Sequence, residues 1–386
     1  MSTEIAEPLA TSIEEPLARL VAFEPTTLPV LSVYLNTQPD QHGRAPETGP
    51  YLQREFKALA RTWESGSPER HSFDQDVERI LSYAADKIEP AANGVAILAC
   101  WGAAEFFEAV QLTAPVSEHR VYAYNQPHLY HLALLDEQYP RYAAVLTDTN
   151  TARIYVFGLG QVIDAEKIKG DKVHRVKVGG WSQARYQRRA ENAHQEHAKE
   201  VVERLVQIVH EDQISHIILA GDAVVIPFLQ RELPQELVPM VEVMKLDLHA
   251  SEQDVMTATL SKLQEQETKS AAEKVERLIE QYRGRGLAVV GPQETLEALA
   301  NGQVEELLIS SGLETSHPVP EEVDAILAPE LPDSNGGTES EEPRQASLPD
   351  LLVTKAKQTG ATVTFIEGAT VLDSVGGVGA FLRWRT

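Results

Sequence analysis

The sequence has a single cysteine, no long apolar run and fewer basic than acidic residues. Cys100 stands alone among 386 residues, which excludes an internal disulfide and a zinc site built on a cysteine cluster. No stretch reaches the ~18 apolar residues of a transmembrane helix. Residues 1–20 lack the basic start and apolar centre of a secretory signal. We therefore expect a cytoplasmic protein that makes no membrane contact.

The charge balance limits the kinds of partner that the whole surface can bind. Lys and Arg number 34 against 58 Asp and Glu, which gives a net charge of −24. Such a surplus argues against a protein that coats nucleic acid with its entire surface. Neither a P-loop nor a dinucleotide-binding fingerprint occurs in the sequence, and we expect no cofactor.

Strand and helix patterns alternate along the chain, which predicts an α/β protein with three α/β domains. The first domain is placed at residues 1–136. The second, residues 137–283, begins with strands and continues with strand–helix alternation, as in a mixed sheet. The third, residues 284–386, includes an acidic, proline-containing stretch at 312–350. We interpret that stretch as a solvated or disordered insertion.

Several local patterns predict where particular elements begin and end. Apolar spacing predicts a helix over residues 72–88 that starts at a capping box of Ser72 and Gln75. An apolar run predicts a strand over residues 129–135. Periodicity is lost between residues 169 and 187, so the following long helix is predicted to begin at Arg188. Three further signals are Ser251 with Asp254 at a helix start, and Asn301–Gly302 and Gly360 at helix ends.

The segment Lys167–Arg189 is basic, in contrast to the acidic remainder of the chain. Its net charge is +7, which leaves −31 for all other residues. A concentration of this kind in a glycine-containing loop fits a local patch that contacts phosphates. Trp181 and Tyr186 lie among the charges, where aromatic rings can stack on bases. The alternative is a solvated loop whose cations pair with the acidic remainder. The basic residues are Lys167, Lys169, Lys172, Arg175, Lys177, Arg185, Arg188 and Arg189.

This segment resembles the Gly-Gly-Gln loop of the archaeal and eukaryotic peptide-chain release factors, a family that includes Pelota and bacterial relatives. The likeness consists of two glycines, a serine, an arginine–aromatic pair and a further arginine that enters a long helix. The matching positions are Gly179, Gly180, Ser182, Arg185, Tyr186 and Arg188. With Arg175, Trp181 and Arg189, these residues and the lysines of the segment are the candidate RNA-binding residues.

The resemblance continues through the last third of the chain. Residues 295–309 are similar to the family's helix–glycine–strand segment, residues 351–366 to a helix and the strand after it, and residues 376–383 to its final glycine-rich strand. The likeness covers roughly the last two thirds of the chain. The first domain carries no motif of the family, and the Asn-Ile-Lys-Ser loop that reads stop codons is absent.

The resemblance implies an RNase H-like mixed sheet in the middle domain and, in the C-terminal domain, the α/β fold of kink-turn-binding ribosomal proteins. It also implies binding in the A site of the ribosome, with rRNA and tRNA as contacts. The basic loop would then face rRNA phosphates, while the acidic bulk faces outward. Members of the family often act with a translational GTPase, and the sequence leaves such a partner open here.

The catalytic glutamine of the family is out of register in this sequence. Trp181 stands at its position, and Gln183 follows two residues later. The family's glutamine is thought to place a water against the peptidyl-tRNA ester, and an amide contributes by positioning. Gln183 can take this role only if the loop bulges. We expect a factor that occupies the ribosome in hibernation or rescue without reading stop codons. Peptidyl-tRNA hydrolysis through Gln183 is the alternative.

A metal-dependent ribonuclease is a remoter alternative. Asp148 and Asp222 follow predicted strands, where an RNase H-like nuclease holds its metal ions, but acidic residues are common at strand ends. We expect no metal site. Four histidines occur in two pairs spaced three residues apart and are interpreted as structural or as a polar helix face: His128, His131, His194 and His197.

Overall fold

The computed structural model describes residues 9–40, 42–44, 46–169, 181–313, 347–368 and 371–385; for residues 181–187, 189 and 190 it describes the backbone alone. The chain divides into two compact units. One comprises residues 1–138 and 265–386, and the other comprises residues 139–264.

The N-terminal part of the first unit contains an antiparallel sheet. Its strands are β1 (Val30–Asn36), β2 (Gly94–Cys100), β3 (Phe106–Leu112) and β4 (Arg120–Tyr124), in the order β3-β2-β1-β4. The helices of this region are α1 (Glu14–Val21), α2 (Thr48–Leu59) and α3 (Pro68–Asp86). Apolar residues of α2 and α3 are buried against one face of the sheet. The apolar spacing over residues 72–88 predicts this for α3.

Helix α3 begins earlier than its predicted cap. Ser67 is the N-cap, and its Oγ accepts a hydrogen bond from the Arg70 backbone N–H at 3.1 Å. Pro68 follows in the first turn, where its missing N–H costs nothing. Ser72 is buried instead, and its Oγ accepts from the Gly102 backbone N–H at 3.0 Å. The predicted cap at Ser72 is therefore wrong.

Residues 129–135 form a helix and not the predicted strand. Helix α4 spans Tyr130–Gln138. The backbone N–H groups of Leu129 and Tyr130 donate to the carboxylate of Asp350, which satisfies orphan donors of the first helical turn. The cap comes from a residue more than 200 positions away in the chain. No local pattern could reveal it, and the apolar run alone does not distinguish a strand from a buried helix.

The second unit contains a five-stranded mixed sheet. Its strands are β5 (Tyr142–Thr147), β6 (Thr151–Gly158), β7 (Gln161–Lys169), β8 (His216–Gly221) and β9 (Val241–Met244), in the order β7-β6-β5-β8-β9. The strand β6 runs antiparallel to both neighbours, whereas β5, β8 and β9 are parallel. In this sheet β6 alone runs opposite to the other four strands. The strand order and these directions confirm the predicted RNase H-like sheet.

Helices cover both faces of this sheet. Helix α5 (Trp181–Glu211) and helix α6 (Ile226–Glu232) pack on one face. The first half of α7 (Glu252–Arg283) packs on the other. The predicted start of α7 is confirmed, since Ser251 Oγ lies 2.6 Å from Asp254 Oδ2 and accepts from the Asp254 backbone N–H at 3.2 Å.

The long helix α5 begins at Trp181 and not at the predicted Arg188. Residues 181–190 contain Gln, Arg and Ala, which have high helix propensity. Their sequence shows no apolar stripe. Among the side chains of α5 that the structure describes, the buried ones begin at His197 and Ala198. The prediction used apolar periodicity, which identifies a helix only where it packs on a core.

The C-terminal part of the first unit contains a four-stranded mixed sheet. Its strands are β10 (Ala288–Val290), β11 (Val304–Ser310), β12 (Thr362–Ile366) and β13 (Val378–Leu382), in the order β10-β13-β11-β12. Only β11 and β12 are parallel. Helices α8 (Pro292–Ala300) and α9 (Leu348–Gln358) accompany it. Gly302 and Gly360 follow them at φ +67° and +66°, as predicted for left-handed helix ends.

The acidic stretch predicted as an insertion at 312–350 ends inside a folded element. Residues 314–346 lie outside the described residues. Leu313 is buried, and residues 348–350 form the first turn of α9. Asp350 is completely buried, because its carboxylate caps α4. The interpretation of 347–350 as solvated is therefore wrong.

Candidate functional site

The predicted basic segment starts on the edge strand β7. Lys167 and Lys169 are exposed on this strand. The antiparallel register places Lys167 opposite Arg153 and Lys169 opposite Thr151 on β6. Opposed residues of two paired strands point to the same face of a sheet, so Arg153 joins the two lysines on one face. Arg153 was not predicted as a site residue, because spacing along the sequence does not give the register between strands.

The other end of the basic segment is the start of helix α5. Arg188 is exposed on this helix. Trp181 and Gln183 both belong to the first turn of α5, where the backbone is helical without a bulge between them. The remaining candidate residues divide into two groups. Trp181, Ser182, Gln183, Arg185, Tyr186 and Arg189 have a helical backbone, and Lys172, Arg175, Lys177, Gly179 and Gly180 lie outside the described residues.

An ion pair between Arg204 and Glu166 joins α5 to β7 next to the basic segment. Arg204 Nε donates to Glu166 Oε2 at 2.7 Å, and Arg204 Nη2 donates to Glu166 Oε1. This two-point contact holds both side chains in one plane. The hydrogen bond from Arg204 holds the pKa of Glu166 below its usual value, against a smaller effect of burial. Because Glu166 directly precedes Lys167 on β7, the ion pair joins α5 to the strand at the described start of the basic segment.

We predict that Arg204→Ala weakens binding of an anionic ligand at the basic segment by about threefold to tenfold. The substitution leaves Lys167, Lys169 and Arg188 in the chain but removes the contact that aligns β7 with α5, and misplacing charged contacts costs affinity. Fluorescence anisotropy with a labelled RNA measures the change.

Arg204→Lys is the matched control for charge at this position, because lysine keeps the cation and loses the planar two-point contact. Arg204→Lys should resemble Arg204→Ala if alignment matters. Full affinity in Arg204→Lys together with weakened binding in Arg204→Ala would show that the charge of residue 204 acts directly.

The two aspartates considered for metal binding are engaged in turns. The Asp148 carboxylate accepts hydrogen bonds from the backbone N–H groups of Asn150 and Thr151, both at 2.7 Å, and from Thr151 Oγ1 at 3.0 Å. Burial opposes ionisation of Asp148, but these hydrogen bonds together outweigh it and lower its pKa. Asp222 Oδ1 accepts from the Val224 backbone N–H at 2.9 Å. Over the described ranges, no three His, Cys, Asp or Glu side chains assemble a metal site.

The four histidines lie in packed surroundings. Burial lowers the pKa of His197, which is 3% exposed on α5. His194 packs edge-on against the Phe228 ring at 6.0 Å. In the other unit, the His128 ring lies 3.9 Å from that of Tyr122, and His131 Nε2 lies 2.8 Å from the Tyr122 hydroxyl. Three of the four histidines thus lie beside aromatic rings, and the fourth, His197, is buried.

Two family models match the chain. Residues 127–264 match bacterial archaeo-eukaryotic release factor family 10, and residues 253–386 match domain 3 of eRF1. The chain is a bacterial relative of the archaeal and eukaryotic release factor and Pelota family. The two matches span the RNase H-like sheet, the basic segment and the C-terminal sheet, whereas residues 1–126 match neither model.

Solved structures of this family also resemble the chain. The archaeal translation termination factor aRF1 is 14% identical, with 97% of this chain and 98% of that chain covered and a TM-score of 0.26. Dom34 of S. cerevisiae, a translation termination-like factor involved in RNA quality control pathways and interacting with Hbs1, is 13% identical (70% and 74% covered, TM-score 0.41). Pelota of Archaeoglobus fulgidus is 15% identical (77% and 81% covered, TM-score 0.32). No protein of curated function matches the chain by sequence.

The helices of the described part of the chain do not have the character of membrane segments. None of them is long and apolar enough to cross a membrane. The longest, α7 and α5, are rich in charged residues over their whole length.

Proposed function

We propose that this chain is a cytoplasmic, ribosome-binding translation factor that occupies the A site in hibernation or rescue. The observation that carries the proposal is the position of the basic segment. It leaves β7 and enters α5 within residues 127–264, which match a release factor family. The proposed contacts of this segment are rRNA phosphates, with the end of a tRNA nearby.

The distribution of charge supports an RNA partner. A net charge of −31 outside the segment disfavours binding of RNA by the rest of the surface taken as a whole. The segment itself presents Lys167, Lys169 and Arg188 to solvent, with Arg153 beside Lys167. Affinity carried by such contacts falls steeply with salt, because each phosphate contact releases a condensed counterion.

Co-sedimentation with bacterial ribosomes at increasing salt tests this proposal. The chain should pellet with ribosomes at low salt and be released progressively as the salt concentration rises. Absence from the ribosome pellet even at low salt would reject the proposal.

We propose that binding does not depend on a stop codon. The codon-reading loop of the family is absent from the sequence, and residues 1–126 match neither family model. Hibernation and rescue both take place on ribosomes whose A site lacks a cognate tRNA, and neither needs a codon to be read. Equal binding to ribosomes with sense and stop codons in the A site is the expected result.

We predict that the wild-type chain releases no peptide from ribosomes loaded with peptidyl-tRNA. Trp181 occupies the position of the family's glutamine, and a helical backbone at residues 181–183 supports no bulge that would bring Gln183 into that place. A peptide-release assay with a labelled peptidyl-tRNA measures this.

Gln183→Ala is the control for the alternative function. Release by the wild type that disappears in Gln183→Ala would establish peptidyl-tRNA hydrolysis through Gln183. Equal release by both chains would also contradict the prediction, and it would place the activity at another residue.

We include a translational GTPase among the proposed partners. The support is that Dom34 of S. cerevisiae interacts with Hbs1. Ribosome pelleting with a purified translational GTPase, in the presence of GTP, would show whether the two proteins bind together.

A further inference from the structure

A second concentration of arginine lies at one end of the C-terminal sheet, outside the basic segment. It is formed by residues 282–287, with the sequence YRGRGL, and residues 383–385, with the sequence RWR. Neither segment contains an acidic residue. We call this surface the arginine–aromatic corner. Its members are Tyr282, Arg283, Arg285, Leu287, Arg383, Trp384 and Arg385.

Strand pairing brings these two distant segments together. The strands β10 and β13 are antiparallel, so the end of β13 lies beside the start of β10. The Leu382 backbone N–H donates to the Leu287 carbonyl at 3.0 Å. Arg385 Nη1 donates to the Gly286 carbonyl at 3.0 Å. The two segments therefore form one folded surface.

Aromatic and apolar side chains in the corner face solvent. Trp384 is 47% exposed, Leu287 43% and Tyr282 36%. A side chain as large as tryptophan is highly buried in most proteins. The four arginines of the corner are exposed as well. Exposed rings beside guanidinium groups offer stacking faces and phosphate donors at one place.

Among the residues that the structure describes, the arginines of the corner have no carboxylate partner. Arg383 Nη2 donates to the Gly360 carbonyl at 2.8 Å, and Arg385 is held by the Gly286 carbonyl. In the portions of the chain that the structure describes, no carboxylate oxygen lies within 4.0 Å of the four guanidinium groups. By contrast, Arg204 is neutralised by Glu166. A guanidinium has five N–H donors, so carbonyl contacts orient these groups and leave donors for an anion.

We infer that the arginine–aromatic corner binds single-stranded or loop RNA. Bases stack on Trp384, and the arginines contact the phosphates on either side. Interleaved rings and arginines favour RNA over an acidic peptide, because a peptide of carboxylates offers no flat base to stack on an exposed indole. The corner lies at the end of β10 and β13 opposite Gly291 and Gly377. It goes beyond the proposed function, since RNA binding here needs neither the basic segment nor the ribosome.

Binding of a labelled oligouridine of about twelve nucleotides to the full chain tests the inference. Fluorescence anisotropy is measured in a background of Lys167→Ala, Lys169→Ala and Arg188→Ala, which removes described cations of the basic segment. Trp384→Ala should weaken binding about tenfold, because the ring on which a base stacks is removed. Trp384→Phe retains a ring and should recover most of that affinity. Thermal unfolding of both variants checks that the exposed position leaves the fold intact.

The salt dependence of binding isolates the phosphate contacts. The double variant Arg283→Gln with Arg285→Gln should flatten the dependence of log K on log salt by about 1.4, since each single-strand phosphate contact contributes about 0.7. The matched control is Arg44→Gln with Arg61→Gln, which removes two exposed arginines from the N-terminal part of the chain. That control should leave the slope unchanged.

Two results would overturn the inference. One is unchanged affinity and slope in both the Trp384→Ala and the Arg283/Arg285 variants. The other is equally tight binding of oligoglutamate of the same charge, which would assign the corner to an acidic protein partner. Neither result bears on ribosome binding through the basic segment. Conversely, weakened RNA binding at the corner in Trp384→Ala would stand even if the chain never pelleted with ribosomes.

Discussion

Replacing Lys167, Lys169 and Arg188 together by alanine is expected to weaken ribosome binding by about a hundredfold or more at near-physiological salt. Each phosphate contact contributes a slope of roughly 0.7–0.9 in log K against log salt. At about 0.1 M salt, this slope corresponds to a factor of roughly five to eight in affinity for each phosphate that a cation neutralises. All three residues are exposed, so their removal should not disturb the core. Pelleting or filter binding across a salt series gives both the affinity and the slope.

A control of equal charge separates local contact from overall electrostatics. Lys199, Arg231 and Lys245 are three exposed cations of the same compact unit that lie outside the basic segment. Replacing them together by alanine makes the same change in net charge. The slope should then stay close to that of the wild type. An equal decrease of affinity in both triple variants would mean that net charge, and not the basic segment, governs binding.

The largest effect on stability is expected for Asp350→Ala. The substitution leaves the backbone N–H groups of Leu129 and Tyr130 buried without their acceptor, together with the amide of Gln126. An unsatisfied buried donor costs about 1–3 kcal/mol, so we expect the free energy of unfolding to fall by about 3 kcal/mol or more. Denaturant unfolding followed by circular dichroism measures it. Glu294→Ala, which removes an exposed carboxylate from the first turn of α8, should cost less than about 1 kcal/mol.

The same region should become less stable as the pH rises. Burial raises the pKa of Asp350 to about 7 and the pKa of Glu137 to about 8, although backbone N–H groups donate to both carboxylates. Groups with a raised pKa in the folded state contribute stability that is fully present below their unfolded pKa, near 4. That contribution is lost as the pH rises through about 7 to 8. The free energy of unfolding should therefore be higher at pH 5 than at pH 8.5.

Asp350→Asn and Glu137→Gln test the ionisation separately from the hydrogen bonds. An amide oxygen can still accept from the backbone N–H, but it does not titrate. Each variant should reduce the difference in stability between pH 5 and pH 8.5. A wild-type chain that is more stable at pH 8.5 than at pH 5 would contradict the account of the burial of these carboxylates.

Local signals were sufficient for most strands and for several helix ends. The apolar residues between Ile214 and Ala220 predict a strand buried on both faces, and residues 216–221 form β8. The capping box of Ser251 and Asp254 starts α7. Gly302 and Gly360 have the left-handed backbone that favours glycine at the end of a helix. In each case the residues that cause the structure are neighbours in the sequence.

Features that depend on distant residues could not be predicted. The local sequence of α4 predicts a strand, and the contact that favours a helix comes from the distant Asp350. Apolar periodicity does not detect the early start of α5, because the sequence of its first turns has no apolar stripe. Arg153 enters the site only through the register between β6 and β7. The arginine–aromatic corner exists only because β10 pairs with β13.

The candidate RNA-binding residues came from a charge count and from a resemblance. Lys167, Lys169 and Arg188 are exposed in the structure, which makes them available for contact. Gly179 and Gly180, which carry much of the resemblance, lie outside the described residues. Their roles stay predictions, as does the role of Gln183.

Competition between the chain and an A-site tRNA tests whether the chain occupies the A site of the ribosome. Ribosomes with an empty A site are compared with ribosomes that hold a cognate tRNA there, and the bound chain is measured by pelleting at low salt. We expect A-site tRNA to exclude the wild-type chain, and the variant lacking Lys167, Lys169 and Arg188 to bind weakly to both kinds of ribosome. Equal binding of the wild-type chain to empty and occupied A sites would contradict the account.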